Sequence, residues 1–272
     1  MRIANPRLLL PALVVAATAI TAQAHTLRVL VTRPVPQPGF RNTVYLSYGH
    51  LLPVDEVIPA EEVGPYQVHT PSGAVKPLAT SGKSLHANDV VFDEPGMYQV
   101  AVTRMALTYV SYTEASGKAG FARQPKDKFT LPEGAKLTFS ARSHQFSKAV
   151  VLNEIAEGQP TPALGHPLEI VVESKPGKRG YSADEPLKAR LLFQGKPLAG
   201  VKVSAASTTR NPDGLPEVSA ETDAEGRVSL ELIEPGTWVL DALHVTESGP
   251  SDRAAFDNER YVATTSIPVT DK

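Results

Sequence analysis

The sequence predicts an all-β fold of two antiparallel β-sandwich domains, and three observations predict it. Apolar and polar side chains alternate in short runs and do not recur at helical spacing. β-Branched residues dominate those runs, as a pleated, half-buried surface favours. Punctuating them are 24 prolines and 19 glycines spread over 272 residues, the spacing of many short strands joined by turns.

The elements follow in chain order. Residues 1–24 read as a signal peptide: Arg2 and Arg7 precede an apolar run from Leu8 to Ala22 that is too short for a committed membrane span, and Ala22 and Ala24 frame an A-x-A cleavage site. Export outside the cytoplasm, into a periplasm, is the expected destination, with no membrane insertion of the mature chain. Cleavage after Ala24 makes His25 the first residue. Cysteine is absent, so neither a lipid anchor at the cleavage point nor a disulfide is available, and stability must come from cores. A mature chain of roughly 250 residues is long enough for two of them.

Residues 25–115 read as the first sandwich, from "HTLRVLVT" and "NTVYLSYGH" through "YQVHT" and "NDVVFD" to "MYQVAVT". Residues 116–165 are less regular and read as a connector, in which "SARSHQFSKAVVLNE" suits a short helix or a long strand equally. Residues 166–272 form the clearer second sandwich: "LEIVVES", "LKARLLF", "VKVSAAS", "RVSLELI", "TWVLDALHV" and "YVATTSIPV" are separated by turn-forming strings such as "TDAEGR". An internal echo links the halves. "EPGMYQVAV" at 94–102 and "EPGTWVLDA" at 234–242 share Glu-Pro-Gly, one residue and an aromatic before a strand. Such a turn lets glycine take a strained backbone angle while the aromatic covers the end of a core.

Charge and composition narrow the function. With 27 basic against 29 acidic residues and no Lys/Arg run, nothing supplies the basic face that nucleic acid requires. No G-x-S-x-G elbow is present and no cysteine can act as nucleophile, so an enzyme is not expected. The close tyrosine pairs, Tyr109 with Tyr112 and Tyr45 with Tyr48, read as core packing and not as a sugar-stacking platform.

Chemistry then rests on seven histidines: His25, His50, His69, His86, His144, His166 and His244. Imidazole, amine and carboxylate suit borderline transition metals such as nickel, cobalt, copper and zinc, whereas the absence of thiolate disfavours a soft Cu(I) site. A mature His25 offers two ligands from one residue, since its α-amine, titrating near about 8, and a ring nitrogen close one chelate. Antiparallel pairing of 27–32 with 43–49 brings His50 beside it, and Gly49 permits a close backbone approach. His244, after the second Glu-Pro-Gly turn, and His86 in "KSLHAND" are further candidate ligands, although a surface or loop histidine is the plainer account of each. His69 reads as a strand-edge or loop residue, His166 as structural and His144 as exposed. The amino-terminal copper and nickel motif that needs histidine at the third mature position is absent, because that residue is Leu27, and so is H-E-x-x-H.

The strings "SYGHLLPVDE", "LGHPLEIVVESKP", "FQGKPLAGVKV", "TDAEGRVSLELIEPGTWVLDALH" and "ERYVATTSIPV", after a start at Ala-His, resemble the DUF4198 family of bacterial periplasmic proteins, itself similar in part to components of nickel and cobalt uptake systems. The stretch "KPLAGVKVSAAS…TDAEGRVSL" is also similar to the carboxypeptidase-regulatory or transthyretin-like β-module, and the sandwiches are accordingly expected to be Ig-like or transthyretin-like. The resemblance implies a non-enzymatic role in handling a divalent transition metal, nickel or cobalt with copper or zinc as alternatives, and a metal-uptake transporter or receptor as partner. His25, His50 and His244 match the family's histidines. The start "HTLRVLV" departs from the more usual aromatic-rich one. The competing expectation is a metal-free adaptor for a membrane receptor or a polysaccharide.

Overall fold

The computed structural model describes residues 25–82, 84–153, 161–211 and 213–271, so the expected signal peptide lies outside it. Among the described residues the chain forms β1 (Thr26–Val31), β2 (Arg41–Gly49), β3 (Val63–His69), β4 (Val75–Pro77), β5 (Ala87–Val91), β6 (Gly96–Thr113), β7 (Ala119–Ala122), β8 (Lys136–Asn153), β9 (Leu168–Val172), β10 (Tyr181–Ser182), β11 (Leu187–Phe193), β12 (Lys196–Pro197), β13 (Lys202–Ser207), β14 (Val218–Glu221), β15 (Arg227–Leu230), β16 (Gly236–Glu247) and β17 (Asn258–Thr270). The fold is all-β, built of packed sheets, with a 3-10 turn at Ala60–Glu62. No helix among these residues is long and apolar enough to cross a membrane.

The two sandwiches share a sheet. One path runs β14-β13-β16-β17-β8-β6-β3-β4, with β10 and β7 attached to it. Against one side packs the sheet β1-β2-β5, which encloses Leu27, Val29, Val44, Leu46, Tyr66, Val100, Val102 and Val151. Against the other packs the sheet of β9, β11, β12 and β15, which encloses Leu168, Ile170, Leu191, Val228, Trp238, Leu240 and Ile267.

Residues 116–165 are therefore not an irregular connector. They include β7 and β8, an 18-residue strand that pairs antiparallel with β6 and parallel with β17 at the centre of the molecule. Alternate residues of β8 feed opposite cores: Ala149 and Val151 enter the first, Phe146, Val150 and Leu152 the second. A strand buried on both faces loses the apolar and polar alternation by which strands are read, and this leaves its string ambiguous.

The Glu-Pro-Gly echo marks a real structural repeat. Gly96 and Gly236 open β6 and β16 with φ of 128° and 141°, and the aromatics behind them, Tyr98 and Trp238, are fully buried. Each aromatic is tied to its own turn. Tyr98 Oη accepts from Glu94 N at 2.6 Å, and Trp238 Nε1 donates to Glu234 O at 3.0 Å.

Candidate functional site

The site begins with the first strand's free edge. β1 pairs with β2 on one side only, and its other edge meets side chains, not backbone. Leu27 N donates to Gln145 Oε1 at 2.8 Å and Val29 N to Ser147 Oγ at 2.8 Å, while Thr264 Oγ1 donates to Leu27 O at 2.9 Å and Ser266 Oγ to Val29 O at 2.7 Å. Gln145 Nε2 adds a bond to His25 O at 3.0 Å. Buried side chains of β8 and β17 thus satisfy an edge that would otherwise be open, and they hold the start of the chain in place.

Pairing of β1 with β2 matches Thr26 to Gly49 and Leu27 to Tyr48, so the residues flanking this end, His25 and His50, are neighbours. Their ring centroids lie 4.5 Å apart, and His25 also stacks on Tyr48 at 5.4 Å. The Arg104 guanidinium covers the Tyr48 ring at 4.8 Å and is itself paired with Glu62, which receives Arg123 Nη1 at 2.6 Å. Burial first, tempered by the Arg104 charge, raises the Tyr48 phenol above its ordinary range.

The loop after β2 turns back under His50. Gly49 makes the turn at φ 119°, and a Cβ there would overlap the Asp55 carboxylate. Asp55 Oδ2 accepts from His50 N at 2.7 Å and Leu51 N at 3.1 Å, and these backbone bonds hold its carboxyl below the usual range. The next residue, Glu56, returns its N–H to Tyr48 O at 2.8 Å and sets its Oε1 2.9 Å from His25 Nε2. With Nε2–H directed at this carboxylate, Nδ1 is the ring nitrogen left with a lone pair in the neutral imidazole.

A transition-metal ion would meet a matching donor set here: the His25 amine once freed by cleavage, His25 Nδ1, the His50 imidazole, and Glu56 as the carboxylate that orients the first ring. No three His, Asp or Glu side chains among the described residues already converge as a metal cluster.

The other sequence candidates lie elsewhere. His86 is buried and both its ring nitrogens are used within the fold, Nδ1 accepting from Ser81 N at 2.8 Å and Nε2 lying 2.7 Å from Ile58 O; it has no lone pair for a metal and is a structural residue. His244 pairs with Tyr261 on the face of the shared sheet turned away from β1, where it meets Phe193 edge-on at 4.7 Å. His144 stacks on the same Tyr261 at 4.9 Å and contacts Glu259 at 2.7 Å. One residue of register on a strand decides the face, and this separates His244 from His25. Sequence reasoning did not single out Glu56, although its place six residues beyond His50 in a returning loop is the signal that could have found it.

No curated protein matches the chain. Among solved structures, the D0-D1 domain of Intimin is 11% identical, covering 90% of this chain and 97% of that one at a TM-score of 0.22. The D00-D0 domain of Intimin is 13% identical over 90% and 100% of the two chains, with a TM-score of 0.19. Likeness at this level says nothing of function. The family model described as "Domain of unknown function (DUF4198)" matches residues 22–246, and the chain belongs to that family.

Proposed function

We propose that the processed protein binds a divalent transition-metal ion of the nickel and cobalt class as cargo in the periplasm and passes it to an uptake transporter or receptor in the membrane. The observation that carries this reading is the packing of His25 against His50, with Glu56 on His25 Nε2. Amine and imidazole donors follow the usual order of affinity, copper above nickel above cobalt, so the ion carried in the cell reflects supply as well as ligand type. Binding displaces the amine proton, and affinity falls as pH drops below about 8. The reading is non-enzymatic: the site takes up and releases an ion.

Calorimetric titration of the mature chain, its N-terminus verified as His25 by mass spectrometry, tests this with nickel, cobalt, copper and zinc. One-to-one binding is expected, lost in His25→Ala and in a form carrying one extra N-terminal residue, and weakened roughly tenfold or more in Glu56→Gln through loss of the orienting carboxylate. Equal binding by the extended form would refute the amino-terminal site. No binding by the authentic form would leave a metal-free periplasmic adaptor.

A further inference from the structure

Gln145, which holds His25 O, sits in register with Val262, and the next residues outward on that face of β8 and β17 are Ser143 and Arg260, themselves paired. Both are buried, Ser143 to 4% exposure and Arg260 to 8%. Ser143 Oγ has no hydrogen-bond partner. The Arg260 guanidinium makes no hydrogen bond or ion pair with any described residue, although the other buried Lys and Arg among them are engaged: Arg28 donates to Gly49 O at 3.1 Å, Arg104 pairs with Glu62, and Lys148 with Glu169.

A buried hydroxyl without a partner is costly, and beside Ser143 Oγ the mostly buried Arg260 side chain brings a guanidinium that has no protein acceptor. Asp241, on the same face, is near enough to be influenced by both Arg28 and Arg260 but forms an ion pair with neither. Asp241 is thus shared by Arg260 and by Arg28, and Arg28 also has Asp55 near it. An anion between the Arg260 guanidinium and Ser143 Oγ would give both a partner, since arginine's planar fork and an adjacent hydroxyl match the oxygens of a carboxylate.

We propose that Arg260 and Ser143 form an anion subsite beside the amino-terminal site, and that it takes one carboxylate of a small polycarboxylate carrying the metal. The metal half of this rests on the functional reading above; the anion half stands on the unpartnered groups alone.

Native mass spectrometry and calorimetry of the mature chain, with nickel chloride, nickel citrate, sodium citrate and sodium phosphate as separate titrants, test it. The expected result is a ternary species with one nickel and one citrate, from which citrate is lost in Arg260→Gln and Ser143→Ala while nickel is retained. Citrate affinity is expected to drop roughly ten- to a hundredfold in Arg260→Gln. Arg260→Lys should recover part of the loss, and unchanged circular dichroism in Ser143→Ala guards against a folding artefact. Absence of citrate binding by the wild type, with or without nickel, or citrate retained equally by both variants, overturns the subsite, and preference for phosphate overturns the polycarboxylate. If nickel binds under no condition but citrate alone binds and is lost with Arg260, the metal reading fails and the anion subsite stands.

Discussion

Gly49 couples the backbone to the site more tightly than any neighbour. Its φ of 119° is a conformation that costs a side-chain-bearing residue about 1–3 kcal/mol, and an added Cβ would also displace the Asp55 carboxylate that receives His50 N and Leu51 N. Gly49→Ala is therefore expected to lower the Tm by several degrees and to weaken metal binding together, whereas His25→Ala should abolish binding with Tm nearly unchanged. Thermal melts beside calorimetry separate the two, and a Gly49→Ala protein with wild-type Tm would contradict the strain. His166 gives the pH signature. Burial lowers its imidazole from about 6.5 to about 4, and its ring packs on Phe146 at 5.6 Å. Between those values the unfolded chain binds the proton and the folded chain resists it, so stability rises with pH through that window and the penalty is complete below about 4. The size is at most about 3 kcal/mol. Urea midpoints measured from pH 4 to 7 should show the rise, flattened in His166→Gln, with a residual slope from His69, which burial lowers in the same direction.

At the scale of elements, the first strand is held by hydroxyls instead of a neighbouring strand. Thr264 Oγ1 lies 2.9 Å from Leu27 O and 2.7 Å from Ser147 Oγ, so one valine substitution removes a donor from β1 and strands a second hydroxyl. Thr264→Val should cost about 1–3 kcal/mol and raise amide exchange at Leu27 and Val29, while β17, paired on both sides, stays protected. Exchange equal to wild type at those two amides would show that the ladder does not hold the strand. These contacts also mark what could be read in advance. The antiparallel pairing of β1 and β2, and with it the neighbourhood of His25 and His50, is legible because the alternation of "TLRVLV" and "TVYLSYG" is intact. The strand β8 is not legible, because both its faces are buried, and its partners on β17 lie more than a hundred residues away in sequence. Arg260 beside Ser143 follows from that unseen parallel pairing, and the buried role of His86 from contacts with Ile58 and Ser81 that no local pattern announces.

The whole molecule is one cooperative unit because its two cores have a strand in common. β8 contributes Ala149 and Val151 to one and Phe146, Val150 and Leu152 to the other, and on the second side Lys148 Nζ reaches Glu169 Oε1 at 2.6 Å with both groups almost wholly buried. Glu169 also accepts from Leu164 N, Gly165 N and His166 N, so a single ion pair fastens the segment before β9 to the central strand. Breaking one partner leaves a charge buried alone, and Lys148→Met is expected to cost about 3–5 kcal/mol, more than its exposed counterparts by severalfold. A chain cut at residue 166 would retain every strand of the second sandwich named from sequence, yet it would lose Lys148, the three apolar side chains of β8 and the whole parallel ladder along β17. Its Glu169 would be left unpaired and the buried edge of β17 open to other chains. Residues 166–272 expressed alone are therefore expected to be unfolded or aggregated, and residues 25–272 to unfold in a single calorimetric transition with matching van't Hoff enthalpy. A fragment 166–272 that is soluble and melts cooperatively, or two separated transitions in the mature chain, would show instead that the second core closes without β8 and that the shared strand joins two independent domains.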